Sequence, residues 1–172
     1  MNMTTTSAAA PAVSEQVAQL AQLLRQRQWM LATAESCTGG MIAAACTDLA
    51  GSSDWFERGF VTYSNNAKSE MLGIEPGLIA VHGAVSDAVV AAMAANAVAR
   101  SHAQVAVAVS GIAGPAGGSP DKPVGTVWFG WQVDGQLRTE RRVFTGDRAA
   151  VRLATVTYAL QVLLQLVSPP VD

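Results

Sequence analysis

Cysteine, histidine, lysine and charge of either sign are scarce in this sequence of 172 residues. Only 14% of the residues are charged and the formal net charge is −2, so the chain lacks the clustered basic surface that duplex nucleic acids require. We therefore expect no nucleic-acid partner. The two cysteines, Cys37 and Cys46, match neither a zinc spacing nor a disulfide framework, and this usage favours the reducing cytoplasm.

Long apolar runs and targeting signals are also missing. No apolar run reaches the ~20 residues that a membrane-spanning helix needs, so no membrane association is expected. Residues 1–12 are rich in Thr and Ala and lack the features of a signal peptide, so they are predicted to form a disordered leader. No metal-binding motif or cluster of acidic residues and histidine is found, and neither a metal nor a cofactor is predicted. Half of the residues are hydrophobic, which predicts a single domain over residues 13–168.

Helical and strand patterns alternate along that domain. Strands are predicted at 29–32, 58–63 and 104–110, with a hairpin of 124–133 and 136–144 around Asp134-Gly135. Helices are predicted at 14–27, 41–50, 64–72, 76–81, 86–101 and 147–167. This order favours an α/β fold, a three-layer α/β/α sandwich with a mixed, mostly parallel sheet and an antiparallel hairpin. The Ala-rich helices leave surface for a homo-oligomer.

The most informative stretch is the polar turn at residues 33–40, between the first strand and the second helix. Open α/β sheets bind ligands beyond the carboxyl ends of their strands, and a helix N-terminus offers free backbone N–H groups there. The Ser36 hydroxyl lies in this turn, followed by the Cys37 thiol and the Thr38 hydroxyl. Ser36 is interpreted either as a nucleophile or as a helix cap, and Cys37 either as a nucleophile or as a small buried residue.

A serine nucleophile needs a base, and candidates are few. His82 and His102 have no acidic residue patterned near them, which weakens a Ser-His-Asp triad. Lys68, one of two lysines, lies early in a helix after an aromatic strand, where burial could lower its pKa. The alternative is a solvated lysine on a helix surface. A second glycine-rich loop, residues 110–119, could approach a phosphate, although it matches no known phosphate-binding pattern.

Six motifs together resemble the CinA C-terminal domain family, in unbroken order over roughly residues 15–166. They are the segments 34–40, 51–56, 59–68, 82–86, 110–115 and 122–128. Stand-alone members of this family are nicotinamide-nucleotide amidohydrolases. The resemblance therefore implies hydrolysis of nicotinamide mononucleotide to nicotinate mononucleotide and ammonia, without a metal or cofactor.

The resemblance also implies roles for individual residues. Ser36 would be the nucleophile, Lys68 its general base and Tyr63 an assisting hydroxyl. The predicted substrate-binding residues are Glu35, Thr38, Gly39, Gly40, Asn65, Ser110, Gly111 and Gly114. Of these, Thr38, Gly39 and Gly40 would stabilise an anion, and the loop that starts at Gly111 would line the nucleotide pocket. Arg148, at the start of the last helix, is a candidate partner for the substrate phosphate or else a solvated cap.

Two other function classes stay open at this point. One is a non-catalytic nucleotide-binding or regulatory module, in which the polar turn holds a phosphate without chemistry. The other is an interaction domain connected with DNA uptake or damage, as the family name suggests. The low content of basic residues argues against direct DNA binding.

Overall fold

A mixed five-stranded sheet forms the centre of the computed structural model, which describes residues 11–169. The strands are β1 (Leu31–Glu35), β2 (Phe56–Val61), β3 (Val105–Gly111), β4 (Thr126–Val133) and β5 (Gln136–Val143). Their spatial order is β2-β1-β3-β4-β5. β1 runs parallel to both β2 and β3, whereas β4 is antiparallel to β3 and β5 is antiparallel to β4. The carboxyl ends of β1, β2 and β3 therefore meet at one edge of the sheet.

Helices cover both faces of this sheet. They are α1 (Val13–Arg27), α2 (Met41–Thr47), α3 (Asn65–Leu72), α4 (Pro76–His82), α5 (Asp87–Ala99) and α6 (Arg148–Val167), with a 3₁₀ turn at Ser52–Asp54. α1, α2 and α6 pack on one face, around a core that contains Trp131 and Phe129. α3, α4 and α5 pack on the other, around a core that contains Met93. The predicted three-layer α/β/α sandwich with a mixed sheet and a hairpin is confirmed.

Local signals located several element boundaries correctly. Ser64, Ser86 and Asp147 each accept a hydrogen bond from the backbone N–H three residues on, and so begin α3, α5 and α6. The turn between β4 and β5 has positive φ at Asp134 and Gly135, as a tight two-residue hairpin requires.

Two other boundaries were predicted wrongly. α1 begins at Val13, one residue before the predicted start, after an Ala12 cap that makes no side-chain hydrogen bond. α2 ends at Thr47, earlier than the predicted end at residue 50, and its buried residues are Ile42 and Cys46.

β1 continues three residues beyond the strand predicted at 29–32. Thr33 and Glu35 are completely buried within it, although their polarity had suggested a turn. The reason is tertiary: β1 lies between two strands that satisfy its backbone groups, so its side chains are enclosed whatever their polarity. The turn to α2 accordingly begins at Ser36.

α6 is the one helix between residues 11 and 169 that could cross a membrane by length and composition, with 20 residues and a mean hydropathy of 1.5 over its most apolar 18 residues. α6 contains Arg148 and Arg152, so it is not the uninterrupted apolar run of ~20 residues that the sequence analysis looked for. In the fold, however, α6 contributes Leu160 and Leu163 to the core beneath the sheet. Of the predicted disordered leader, residues 1–10 lie outside the described part of the chain.

Candidate active site

A cleft of about 270 Å³ opens where β1, β2 and β3 end. Because parallel strands end at the same edge, residues that follow different strands converge there. The residues lining the cleft are Ser36, Cys37, Tyr63, Asn65, Lys68, Ala84, Val85, Ser110, Gly111, Ala113 and Arg148. Most of the residues predicted to be catalytic or to bind substrate are thus brought together.

Ser36 and Lys68 form a buried pair at the bottom of this cleft. The Lys68 Nζ atom lies 3.1 Å from the Ser36 Oγ atom and donates to the carbonyl oxygen of Thr62 at 2.9 Å. Ser64 caps α3, so Lys68 lies one turn into the helix and its side chain extends under the end of β2. Lys68 is 1% exposed and Ser36 is 8% exposed. Lys68 is therefore not a solvated surface lysine.

Burial also changes the acid–base chemistry of Lys68. Removing the ammonium from water disfavours its charged form and lowers the pKa of Lys68 from its ordinary value. A neutral amine keeps one hydrogen for the Thr62 carbonyl and presents its lone pair to the Ser36 hydroxyl. The pair has the geometry of a nucleophile and its general base.

The other candidate nucleophile and bases fit less well. Burial raises the pKa of the Cys37 thiol to about 11, so Cys37 is a protonated thiol near neutral pH. Neither histidine is among the residues that line the cleft. Among residues 11–169 there is also no group of three or more His, Cys, Asp or Glu placed to hold a metal ion.

Glu35 holds the Ser36 turn against α2. Its carboxylate accepts hydrogen bonds from the Thr38 hydroxyl at 2.7 Å, from the Ile42 N–H at 2.8 Å and from the Ala43 N–H at 3.0 Å. Glu35 and Thr38 are completely buried and do not line the cleft. We had expected the N–H groups at the start of α2 to face a ligand. Two of them, those of Ile42 and Ala43, instead donate to Glu35. Substrate contact by Glu35 or Thr38 stays a prediction.

Gly39 and Gly40 of the turn both have positive φ, so they allow the backbone to bend between Ser36 and α2. Gly40, the residue that caps α2, has a φ of +103°, a conformation that side-chain-bearing residues rarely adopt. Arg152 fastens the same turn to α6, since its guanidinium donates to the carbonyl oxygens of Cys37 and Thr38, each at 3.1 Å. The sequence interpretation missed Arg152, which lies one helical turn after Arg148 on α6.

Exposed polar side chains surround the mouth of the cleft. The Arg148 guanidinium donates to the Tyr63 hydroxyl at 3.0 Å and to the Gly114 carbonyl at 2.9 Å. Tyr63 is 60% exposed, and Asn65 and Arg148 are also exposed. Arg148 is thus a bridge across the entrance that retains a charge for an anionic ligand. This arrangement places Tyr63 at the entrance beside Arg148, rather than in the buried Ser36–Lys68 pair.

The second glycine-rich loop contributes only its first residues to the cleft. Ser110, Gly111 and Ala113 line the cleft, whereas Gly114 does not. Gly114 has a φ of +83°, and a Cβ there would clash with the Val124 side chain. Gly114 is needed for packing within the loop, and substrate contact by Gly114 stays a prediction. Gly39 and Gly40 are likewise not among the lining residues.

Sequence reasoning also missed Thr62, whose carbonyl holds Lys68, and the wall formed by Ala84 and Val85. Thr62 lies within the motif at 59–68, but its role depends on the path of the Lys68 side chain. Ala84 and Val85 come from the connection between α4 and α5. Ala84 and Val85 also lie within a motif, at 82–86, but the sequence does not show that these residues face the site.

The three-layer α/β/α fold places a buried serine–lysine pair at its parallel strand ends, the arrangement that a serine hydrolase with a lysine base requires. The CinA C-terminal domain model matches residues 13–167, and the chain belongs to that family. Two similar relatives are the nicotinamide-nucleotide amidohydrolases PncC of Escherichia coli (strain K12) and Pseudomonas putida. They are 55% and 56% identical to this chain, which in each case is covered over 86% of its length, and 90% and 92% of the relatives are covered.

Longer relatives and solved structures give the same family. A CinA-like protein of Akkermansia muciniphila is 53% identical over 82% of this chain, but the match covers 34% of that relative. The crystal structure of the competence damage-inducible protein A from Klebsiella pneumoniae superposes with a TM-score of 0.87 at 43% identity. That match covers 90% of this chain and 96% of the solved chain.

Proposed function

We propose that this chain is a nicotinamide-nucleotide amidohydrolase that converts nicotinamide mononucleotide and water into nicotinate mononucleotide and ammonia. The observation that carries the proposal is the buried contact of 3.1 Å between Lys68 Nζ and Ser36 Oγ. An amide is a poor electrophile, and a hydroxyl attacks it only with a base that accepts the hydroxyl proton. The relatives named PncC, at 55% and 56% identity, supply the substrate class.

In the first half of the reaction, Ser36 Oγ attacks the carboxamide carbon while neutral Lys68 takes the hydroxyl proton. The negative charge that forms on the amide oxygen requires a hydrogen-bond donor, and one backbone donor contributes ~3 kcal/mol to such a step. The backbone N–H of Cys37 is suited to this role because Cys37 follows Ser36 in the lining of the cleft. The C–N bond then breaks, Lys68 returns its proton to the departing nitrogen, and ammonia leaves an acyl ester on Ser36.

In the second half, water attacks this ester. Lys68 is again neutral and takes a proton from the water, and the Ser36–acyl bond breaks as the hydroxyl recovers its proton. The product is the carboxylic acid, which loses its remaining proton to solvent and becomes the carboxylate. Glu35 acts as a positioning residue, since its three hydrogen bonds fix the turn that presents Ser36.

The nucleotide enters with its pyridine ring first. The cleft places the Ser36–Lys68 pair at its buried end and the exposed Arg148 guanidinium at its mouth. The substrate phosphate therefore binds near Arg148, with Tyr63 and Asn65 beside it. Arginine is suited to phosphate because its planar guanidinium offers several donors and keeps its charge.

The cysteines and the exposed apolar side chains support proposals for cellular location and assembly. Both cysteines are buried and free, as in proteins of a reducing cytoplasm, where we place the enzyme. A homo-oligomer is proposed from the apolar side chains exposed on the outer helices and strands, among them Val81 and Leu153. Light scattering of the purified protein measures its mass directly and decides between monomer and oligomer.

The proposed function is tested by measuring ammonia release from nicotinamide mononucleotide with the purified full chain. We expect turnover with and without EDTA, together with stoichiometric formation of nicotinate mononucleotide. Binding of the nucleotide without ammonia release would instead indicate the regulatory module. Loss of activity in EDTA with recovery on adding zinc or magnesium would overturn the metal-independent mechanism.

A further inference from the structure

Ser110 is the neighbour of Ser36 across the sheet edge. Glu35 pairs with Val109 in the parallel register of β1 and β3, and the Ser36 N–H donates to the Val109 carbonyl at 3.1 Å. Ala34 and Ala108 belong to the core on the α5 face. Because side chains alternate along a strand, Ser110 of β3 lies on that same face. Ser36, the residue after β1, faces the same side, since its hydroxyl contacts Lys68 of α3 and α3 packs there. β1 and β3 are neighbours in the sheet, ~4.8 Å apart.

The hydrogen-bond state of the Ser110 hydroxyl is fixed by a backbone carbonyl. Its single hydrogen is donated to the Ala84 carbonyl oxygen at 2.8 Å. Ser110 is 1% exposed, yet it lines the cleft, so water from bulk solvent does not surround its oxygen. Toward the cleft, the Ser110 Oγ atom therefore offers lone pairs only and is an acceptor.

The amide substrate and the acid product differ in this respect. A carboxamide carries two N–H hydrogens, whereas a carboxylate has none and adds a negative charge. We propose that Ser110 Oγ accepts a hydrogen bond from the carboxamide NH₂ group and is the residue by which the site prefers the amide over the acid. This proposal rests on the proposed function. It also orients the carboxamide, because its NH₂ group must face Ser110 on β3.

This contact gives the carboxamide a defined orientation over Ser36. The NH₂ group faces β3 and Ser110, and the carbonyl oxygen is directed toward the backbone after Ser36. Lys68 is already engaged with Ser36 and with the Thr62 carbonyl, so it does not compete for the NH₂ hydrogens before the reaction. After hydrolysis, Ser110 faces a carboxylate oxygen, acceptor against acceptor, which promotes release of the product.

The test compares three nucleotides by calorimetric titration into a Ser36→Ala variant, which cannot turn them over. They are nicotinamide mononucleotide, nicotinate mononucleotide and the 3-acetylpyridine mononucleotide, in which a methyl group replaces NH₂ but the carbonyl remains. We expect the amide to bind about tenfold more tightly than the methyl ketone and more tightly than the acid, because only the amide satisfies the buried acceptor. In Ser36→Ala/Ser110→Ala, the amide and the ketone should bind within about twofold of each other.

A structural role for Ser110 predicts a different result. If Ser110 only supports Ala84, the double variant weakens all three nucleotides together and their ratios stay unchanged, which overturns the proposal. Ser86→Ala in the Ser36→Ala background is the matched control. The Ser86 hydroxyl donates to the Gly83 carbonyl in the same connection but does not line the cleft. The relative affinities of the three nucleotides for Ser36→Ala/Ser86→Ala should therefore equal those for Ser36→Ala alone.

The ligand series also tests the proposal without Ser110→Ala, should that variant fail to fold. A methyl ketone that binds Ser36→Ala as tightly as the amide overturns the proposal. Ammonia release by the wild type is measured in parallel. If the wild type hydrolyses the nucleotide but Ser110→Ala leaves the relative affinities unchanged, only the role of Ser110 is overturned. If the wild type does not hydrolyse it, the proposed function and the Ser110 proposal are both overturned.

Discussion

The bottom and the mouth of the cleft are built in opposite ways. At the bottom, Ser36, Lys68 and Ser110 are buried and their polar atoms bond one another or nearby backbone carbonyls. At the mouth, Tyr63 and Arg148 are exposed and their one mutual hydrogen bond lies in solvent. Burial at the bottom changes the pKa of Lys68, whereas the mouth keeps a fully charged guanidinium.

This difference separates chemistry from recognition. Burial disfavours the protonated form of an amine and lowers its pKa. A larger fraction of the amine is then neutral and can accept a proton as a base. An exposed guanidinium costs little to maintain and can meet an incoming phosphate while water is still present. Variants at the bottom should therefore change kcat, and variants at the mouth should change KM.

Ser36→Ala gives the largest expected effect. Removing the nucleophile should lower kcat at least ~10³-fold while leaving the fold intact, because Ser36 lies in a turn and not in the apolar core. Ammonia release and circular dichroism measure the two quantities. The exposed Ser53→Ala is the matched control and should keep wild-type activity. A Ser36→Ala enzyme with more than a few per cent of wild-type turnover would exclude Ser36 as nucleophile.

Lys68→Arg and Lys68→Met should be inactive to a similar degree, ~10³-fold below the wild type. Arginine keeps the charge but cannot give up its proton, and methionine keeps most of the stem without a base. Lys122→Arg, at the second lysine, should stay near wild-type kcat. Substantial activity in Lys68→Arg would mean that this position supplies positive charge instead of accepting a proton.

The pH dependence of kcat/KM should show one rising limb that belongs to Lys68. Activity needs the neutral amine, so the rate rises about tenfold per pH unit below the pKa of Lys68 and levels off above it. Since burial lowers that pKa, the plateau should begin below the 10.5 of an ordinary lysine. A rate that still climbs through pH 10.5 would contradict a buried base.

Arg148→Gln tests the mouth. Losing the guanidinium removes a charge-assisted contact with phosphate, so KM should rise about tenfold with kcat nearly unchanged. Arg138→Gln is a control on β5, where Arg138 pairs with Glu140 away from the cleft. A collapse of kcat at constant KM would place Arg148 in the chemical step instead.

Glu35→Gln should have the smallest effect on activity and a measurable effect on stability. The amide NH₂ cannot accept, so one of the three hydrogen bonds at the start of α2 is lost, which costs ~1–2 kcal/mol. Thermal unfolding should shift down by several degrees and kcat should fall a few-fold. Glu70→Gln, at an exposed position on α3, serves as control. An unchanged melting temperature would mean that Glu35 does not hold the turn.

The sequence predicts a structural feature well when the residues that determine it are close to one another in the chain. Ser64, Asp147 and the Asp134-Gly135 turn act through residues three or fewer positions away, so the sequence locates them well. The end of β1 depends on the two strands that flank it, and sequence patterns alone place it three residues too early.

The same distinction holds for the site. Ser36 and Lys68 were selected from their positions at strand ends and from the family motifs, and their contact across 32 positions is a product of the fold. Glu35 and Arg152 hold the turn through side-chain paths that no periodicity reveals. The sequence nominated Ser36, Lys68 and Ser110 but missed the cleft wall at Ala84 and Val85. It nominated Glu35 for substrate contact and did not predict its hydrogen bonds to the turn.

The Asp134-Gly135 turn also has a practical consequence. Val133 pairs with Val105 at the start of β3, whereas Trp128 pairs with Ser110 beside the cleft. At ~3.4 Å per residue, the turn lies about 20 Å from the reactive end of the sheet. A cysteine introduced there and coupled to a fluorophore or a solid support would leave the cleft unobstructed. The hairpin thus provides an attachment point for immobilising the enzyme or for following its motions by energy transfer.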